Sequence, residues 1–146
     1  MSNRILSYRA LLAHGAQDRI LLSTKKGEIG YRIIKFQLLP DDSGGHAAES
    51  TVKVYKTEQA AVSNIVDFSD NRLLAAGYIS NHTSGYIYPP RDQIIFENEI
   101  FNQDIFVTHY DRSGDAPCNY YIELERIKLS EHDSMVTTLK DIRNND

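Results

Sequence analysis

The sequence predicts an all-β fold: an antiparallel β-sandwich, jelly-roll-like, in a single domain with extended terminal arms. Three observations lead there. About eight short segments rich in β-formers follow one another closely, each bounded by Gly, Pro, Asp or Ser. The stretch 93–129 holds two long alternating segments, DIFVTHY (104–110) and NYYIELERIKL (119–129). The polar loop DRSGDAP (111–117) between them gives a hairpin signal. No segment carries a convincing long helical period. The expected organisation is an N-terminal arm over 1–17, a sandwich over 18–129, and a C-terminal arm or terminal strand over 130–146.

Residues 4–13 (RILSYRALLA) fit two descriptions. Leu6, Ala10 and Ala13 would share a helical face, whereas Ile5, Ser7 and Arg9 suit a strand or an extended arm. His14-Gly15 ends the segment. DRILLST (18–24) reads as a strand, and KKGE (25–28) as a tight turn in which Gly27 can take positive φ. GYRIIKFQLL (30–39) is then the return strand, with Ile34, Phe36 and Leu38 inward. PDDSGGHAAES (40–50) cannot bury a face and reads as an exposed, mobile loop.

TVKVYKT (51–57) alternates, with Val52 and Val54 on one side. EQAAVSN (58–64) suits a helical turn and IVDFSD (65–70) irregular or extended chain. RLLAAGYIS (72–80) is apolar on both faces, as expected in the middle of a sheet or in a subunit interface. QIIFE (93–97) is a strand, and NEIFNQ (98–103) a turn anchored by Ile100 and Phe101. In the last long strand the apolar phase flips from Ile122 and Leu124 to Ile127 and Leu129. One extra residue near 125–127, a bulge that lets a strand cross between sheets, would keep both pairs buried. In the tail, Ser130 and Asp133 resemble a capping box, while Val136, Thr137 and Thr138 favour strand. A strand near 135–142 is preferred to a helix lying on the sheet.

With 146 residues the chain suits one domain with a sizeable core. Its 41% apolar and 25% charged content argues against a disordered or membrane class. A net charge of −4 leaves no basic footprint, so neither nucleic acid nor an anionic bilayer is an expected partner. Arg4, Arg9 and His14 interrupt the N-terminal apolar run, so no signal peptide is read there and a cytoplasmic location, at least initially, is the expectation. The sequon at Asn81-His82-Thr83 is discounted on that ground. The single cysteine, Cys118, excludes an intrachain disulfide and reads as a free thiol where a loop meets a strand.

Candidate chemistry is sparse. The histidines, His14, His46, His82, His109 and His132, show no metal-ligand spacing. His109 alternates with Ile105 and Val107, the pattern of a structural histidine at the buried end of a strand. Asp41 and Asp42 lack the alternating oxygen ligands of a calcium loop. Glu97 with Glu99, and Glu123 with Glu125, each share one strand face. Without a nucleophile or a third group, a solvated face or an ion pair explains them better than acid–base work. No phosphate loop or nucleophile elbow is present, so no enzyme activity, cofactor or metal is expected. Tyr86 and Tyr88, near two prolines, are candidates for an interface or for stacking on sugars.

The segments GEIGYRIIKFQLLP, VKVYKTEQ, VDFSDNRLLAAGYIS, EIFNQDIFVTH, NYYIELE and TLKDIR resemble small virion structural proteins of marine tailed bacteriophages, chiefly cyanophage-like ones. The resemblance covers about residues 27–144 and has no catalytic content. It implies a component of the phage particle, assembled in the host cytoplasm and located in the virion. The expected function is that of a capsid decoration (cement) protein stabilising the head lattice. The alternatives are a tail component (baseplate, fibre-adaptor or tail-surface protein) and a carbohydrate-binding module for host-surface glycans. The implied partners are the major capsid protein or other virion proteins. A homo-oligomer is expected, a trimer being one option. The candidate interface residues are Leu73, Leu74, Tyr78, Tyr86, Tyr88, Met135, Leu139 and Ile142.

Overall fold

The computed structural model describes residues 4–22, 28–81, 91–96 and 98–129. Within them run β1 (Ile5–Leu12), β2 (Gln17–Ile20), β3 (Ile29–Pro40), β4 (Ala48–Tyr55), β5 (Leu73–Asn81), β6 (Arg91–Ile95), β7 (Ile105–Asp111) and β8 (Cys118–Lys128). All pairings are antiparallel. One sheet has the order β1-β8-β3 and the other β2-β7-β4-β5-β6. The chain changes sheet at β1→β2, β2→β3, β3→β4 and β7→β8. The result is an all-β sandwich with a three-stranded and a five-stranded layer.

β8 holds the centre of the smaller sheet because its alternation is clean. Cys118, Tyr120, Ile122 and Leu124 point inward and are buried, while Asn119, Tyr121, Glu123 and Glu125 face outward. They meet Phe36 and Leu38 of β3 and, from the opposite layer, Val52, Val54, Leu74, Ile79, Ile105 and Val107. The two layers approach closely at Gly77 of β5. A Cβ there would stand 2.9 Å from a Leu38 methyl and 3.1 Å from the Phe36 ring, so any larger residue would have to push side chains of the opposite layer aside.

Several sequence expectations are corrected. Residues 5–12 are not an arm. They pair along their whole length with β8, from Ile5↔Glu125 to Leu12↔Cys118, and their even-numbered side chains pack toward the core. β7 and β8 are not a hairpin, because they lie in different sheets and the 112–117 loop crosses between them. β2 and β3 are likewise separated, β2 pairing with β7. Turn chemistry is local and cannot tell a hairpin from a crossover.

The bulge lies on β3, where the register shifts between Ile33 and Lys35. Ile33 therefore takes the inward position before the shift, Phe36 and Leu38 after it, and Ile34 is only half-buried. β8 runs unbroken through Glu125↔Arg32 and Ile127↔Gly30 and stays in one sheet. Leu129 regains burial just past the strand, where its N–H donates to the Glu28 carbonyl. Residues 48–50, expected in a loop, begin β4, and 58–64 form bends rather than a helical turn. The 25–28 turn lies largely, and the 130–146 tail entirely, outside the described residues.

Ile122→Asp places an uncompensated carboxylate in the densest part of the core and should cost at least about 4 kcal/mol, enough to unfold the domain. Glu123→Ala, on the outward face, should cost under about 1 kcal/mol. Urea titration followed by circular dichroism separates them, and the reverse ranking would invert the strand phase.

Candidate functional site

The candidate site is a contact surface, and it begins with an unusual burial pattern. β4 and β5 are covered on both faces over most of their length, Tyr78 excepted. The inner face meets the smaller sheet. The outer face carries Lys53, Tyr55, Leu73 and Ala76, and all four are buried. The cover is the connection over 56–72, which folds back across the sheet. Gln17 and Gln59 fasten its start reciprocally: the Gln17 amide donates to the Gln59 carbonyl (3.1 Å), and the Gln59 N–H donates to Gln17 Oε1 (2.9 Å). Lys56 N–H donates to the Arg72 carbonyl at the far end (2.8 Å), and Lys56 Nζ pairs with Glu99 at 3.1 Å.

Lys53 is the pin beneath the cover. It is 3% exposed, and its ammonium donates to the Ile65 carbonyl and lies 5.4 Å from the Tyr55 ring centre. Burial lowers its pKa, and the nearby Asp70 carboxylate opposes that shift. Asp70 holds Arg72 through two side-chain bonds of 2.9 Å. The Arg72 hydrogen bond outweighs partial burial and depresses the Asp70 pKa. With the backbone of Ile65 tied down, its side chain and those of Val66 and Phe68 are held outward, 72%, 43% and 55% exposed. Phe68 meets Phe96 edge-on, centroids 5.4 Å apart. The pair lines a shallow cleft of ≈ 520 Å³ also bordered by Leu73, Asp70, Asn98 and Glu99.

The second surface is the outer face of the β1-β8-β3 sheet. Tyr121 stands at its centre, its hydroxyl donating to Glu123 Oε2 at 2.6 Å and its ring 5.9 Å from the Lys35 ammonium. The Glu123 hydrogen bond raises the phenol pKa. Glu125 pairs with Arg32 at 3.0 Å and Arg4 at 3.7 Å. Glu123 and Glu125 thus share a face as expected, and each carboxylate is engaged locally. Glu99 pairs with Lys56, while Glu97 lies outside the described residues.

The proposed interface residues divide three ways. Leu73 and Leu74 are 2% and 1% exposed within the single chain, so the expectation that they face a partner is corrected: Leu73 packs with Tyr55, Ala76 and Phe96, and Leu74 lies in the sandwich core. Tyr78 is exposed at 37%. Tyr86, Tyr88, Met135, Leu139 and Ile142 lie outside the described residues. Residues 65–68 are the surface that sequence reasoning missed. The signal was present in IVDFSD, where three large apolar side chains lie among acidic and small ones without a strand period.

The remaining titratable groups serve the fold. His109 is fully buried, and its Nδ1–H donates to the Leu12 carbonyl at 3.0 Å. That fixes the tautomer and leaves Nε2 unpartnered among the described residues. Burial lowers the His109 pKa against the two backbone carbonyls of Leu12 and Ala13, so the ring is neutral in the fold. His14 Nδ1 accepts from Asp111 N–H at 2.9 Å, and Gly15, at φ 75°, turns the chain there from β1 into β2.

Burial pushes the Cys118 thiol up to about 12, well away from a reactive thiolate. Asp41 binds His46 at 2.8 Å, and the buried Asn81 amide braces the same loop through the Asp42 and His46 carbonyls. Among the described residues no three His, Cys, Asp or Glu side chains gather as a metal site.

Lys53→Met should release the Ile65 carbonyl while keeping the apolar stem. Amide exchange at 64–69 should rise about tenfold or more with little change in the core strands, and unchanged protection would remove Lys53 as the pin. His109 gives a pH dependence. Its folded pKa lies below the unfolded value, so the unfolded chain binds the proton first. Stability should therefore fall as pH drops below about 6.5 and continue to fall until the folded pKa is passed. His109→Gln should flatten that slope in urea midpoints measured between neutral and mildly acidic pH, and an identical slope would exonerate the residue. Scanned against protein-family models and against curated proteins, the chain matches none of them.

Proposed function

We propose that this chain is a non-enzymatic structural protein of a tailed-bacteriophage particle, acting as a decoration (cement) protein that adds contact area on the head lattice. The observation that carries this reading is the apolar tip Ile65, Val66 and Phe68, held outward by a buried lysine beside an open cleft. Large apolar groups fixed at a loop tip suit protein–protein contact, because a rigid patch loses little entropy on docking. The resemblance to small virion proteins supports the same reading. Its EIFNQDIFVTH and NYYIELE segments supply Phe101, Ile105, Val107, His109, Tyr120, Ile122 and Leu124, all interior, so what they encode is the sandwich.

The partner would be a capsid or other virion protein presenting an apolar hollow. In a cryo-electron microscopy reconstruction of the particle that carries this protein, many copies should sit on the capsid lattice with residues 65–68 at the contact. Ile65→Asp, at the 72% exposed position of the tip, should lower occupancy on purified particles severalfold while leaving the urea midpoint unchanged. A few copies in a tail ring would move the protein to the tail, and particles lacking the chain would overturn the virion reading.

A further inference from the structure

The four sheet edges are not equally protected. β3 is interrupted by its bulge, ends in Pro40, and bridges Phe101 at Tyr31. β2 is four residues long and β6 five. β1 differs, with eight regular residues, no proline, no bulge, and no neighbour on its outer side among the described residues. Such an edge is a template for another strand. Its backbone direction is fixed by the bond from Arg126 N–H to the Arg4 carbonyl, which makes 4 and 126 a hydrogen-bonded pair. By alternation Leu6, Tyr8, Ala10 and Leu12 turn their backbone groups to β8, while Ile5, Ser7, Arg9 and Leu11 turn theirs to the open edge.

We propose that β1 pairs antiparallel with β1 of a second copy about a two-fold axis at Tyr8, joining the two small sheets into one of six strands. The occupant is argued from the sequence of the edge itself. With the axis at Tyr8, Ile5 lies opposite Leu11 of the second copy, Ser7 opposite Arg9, and Leu6 opposite Ala10. Ile5 and Leu11 are large apolar side chains left 48% and 55% exposed on one face, and this register covers both. A shift of two residues one way sets Arg9 against Arg9. The other way sets Ile5 against Arg9 and leaves Leu11 without its match.

The charges also agree. Ser7 lies between Glu123 on β8 and the incoming Arg9, and its small side chain lets that guanidinium reach the carboxylate. The hydrogen-bonded pairs are the odd residues, the ones whose N–H and C=O groups face outward. Beside the edge, a cleft of ≈ 430 Å³ between β1 and β2 is lined by Tyr8, Ala10, Asp18, Ile20, Leu21 and Tyr120 among others, and Leu21 is 74% exposed at it. The second copy's inward Tyr8 extends the same face beside this cleft. Two-fold edge pairing makes a dimer, in place of the trimer considered from sequence. It would form whether or not the protein belongs to a virion.

The test uses the full chain in solution. Sedimentation velocity across a concentration series should show a monomer–dimer equilibrium. Ile5→Lys/Leu11→Lys, confined to exposed positions, should keep the circular dichroism spectrum and weaken dimerisation roughly a hundredfold or more, since symmetry counts each change twice. Cysteine pairing reads the register. Opposed hydrogen-bonded residues lie about 5.5 Å apart, within disulfide range. A mixture of Ser7→Cys and Arg9→Cys chains should cross-link, and neither variant alone should do so. Cys118 is buried and does not interfere. A monomer at every concentration, a dimer indifferent to the lysine substitutions, or cross-linking of either cysteine variant by itself would overturn the proposal.

Discussion

Cys118, Tyr120, Ile122 and Leu124 descend the inner face of β8, and the neighbouring strands take their register from that row. A slip of one residue would exchange it for Asn119, Tyr121, Glu123 and Glu125, burying two carboxylates and exposing the core. That penalty fixes β1 and β3 at once. It also explains the bulge: β3 offers Tyr31 and Ile33 in one phase and Phe36 and Leu38 in the other, and only an inserted residue lets both pairs face the core that β8 defines. The irregularity falls on β3, which the interior can bend as an edge strand, and spares the central strand.

The larger sheet is organised by its buried polar groups. Asp104, 7% exposed, takes the Leu22 N–H at 2.8 Å and Arg19 at 2.7 Å, fastening the exit of β2 to the start of β7. Asp111, 2% exposed, accepts N–H groups from Glu49, Ser113 and Ala116, which folds the crossover loop onto β4. Burial alone would raise the Asp111 pKa, and these donors together hold it below the ordinary carboxylate value. Lys53 does the corresponding work on the outer face. Each charge is buried where its hydrogen bonds determine the path of a loop, so the long connections of this sandwich are positioned nearly as firmly as its strands.

Strand positions are legible in the sequence because period-two alternation is written residue by residue, as in Val52/Val54 and Ile122/Leu124. The partners of those strands are not. DRSGDAP has hairpin composition, yet β7 belongs in a layer covered on both sides. Phe106 and Thr108 need cover as much as Ile105 and Val107, whereas the outward side of β8 is polar. Leu73 and Leu74 show the same limit from the other side. An apolar run on both faces requires two covers, and the sequence alone cannot say whether the second is a partner or the chain's own 56–72 connection. Residues 5–12 look like an arm because Ser7 and Ala10 blur the alternation that pairing with β8 restores.

The two candidate contact surfaces are independent in the fold, and this has a consequence for how the protein would act. The apolar tip at 65–68 belongs to the cover on the outer face of the five-stranded sheet. The β1 edge belongs to the other layer. A dimer joined through β1 would leave both tips uncovered, one in each copy. A dimer with two equivalent tips binds a repeating surface with an effective concentration set by its own rigid span, so a weak contact at each tip becomes a firm hold wherever the repeat matches that span. A single small tip cannot bury the area of a standard stable interface by itself. Two tips held at a fixed separation favour a regular lattice over scattered copies of the same target, and that selectivity would arise from sheet geometry without any specialised chemistry at the tip.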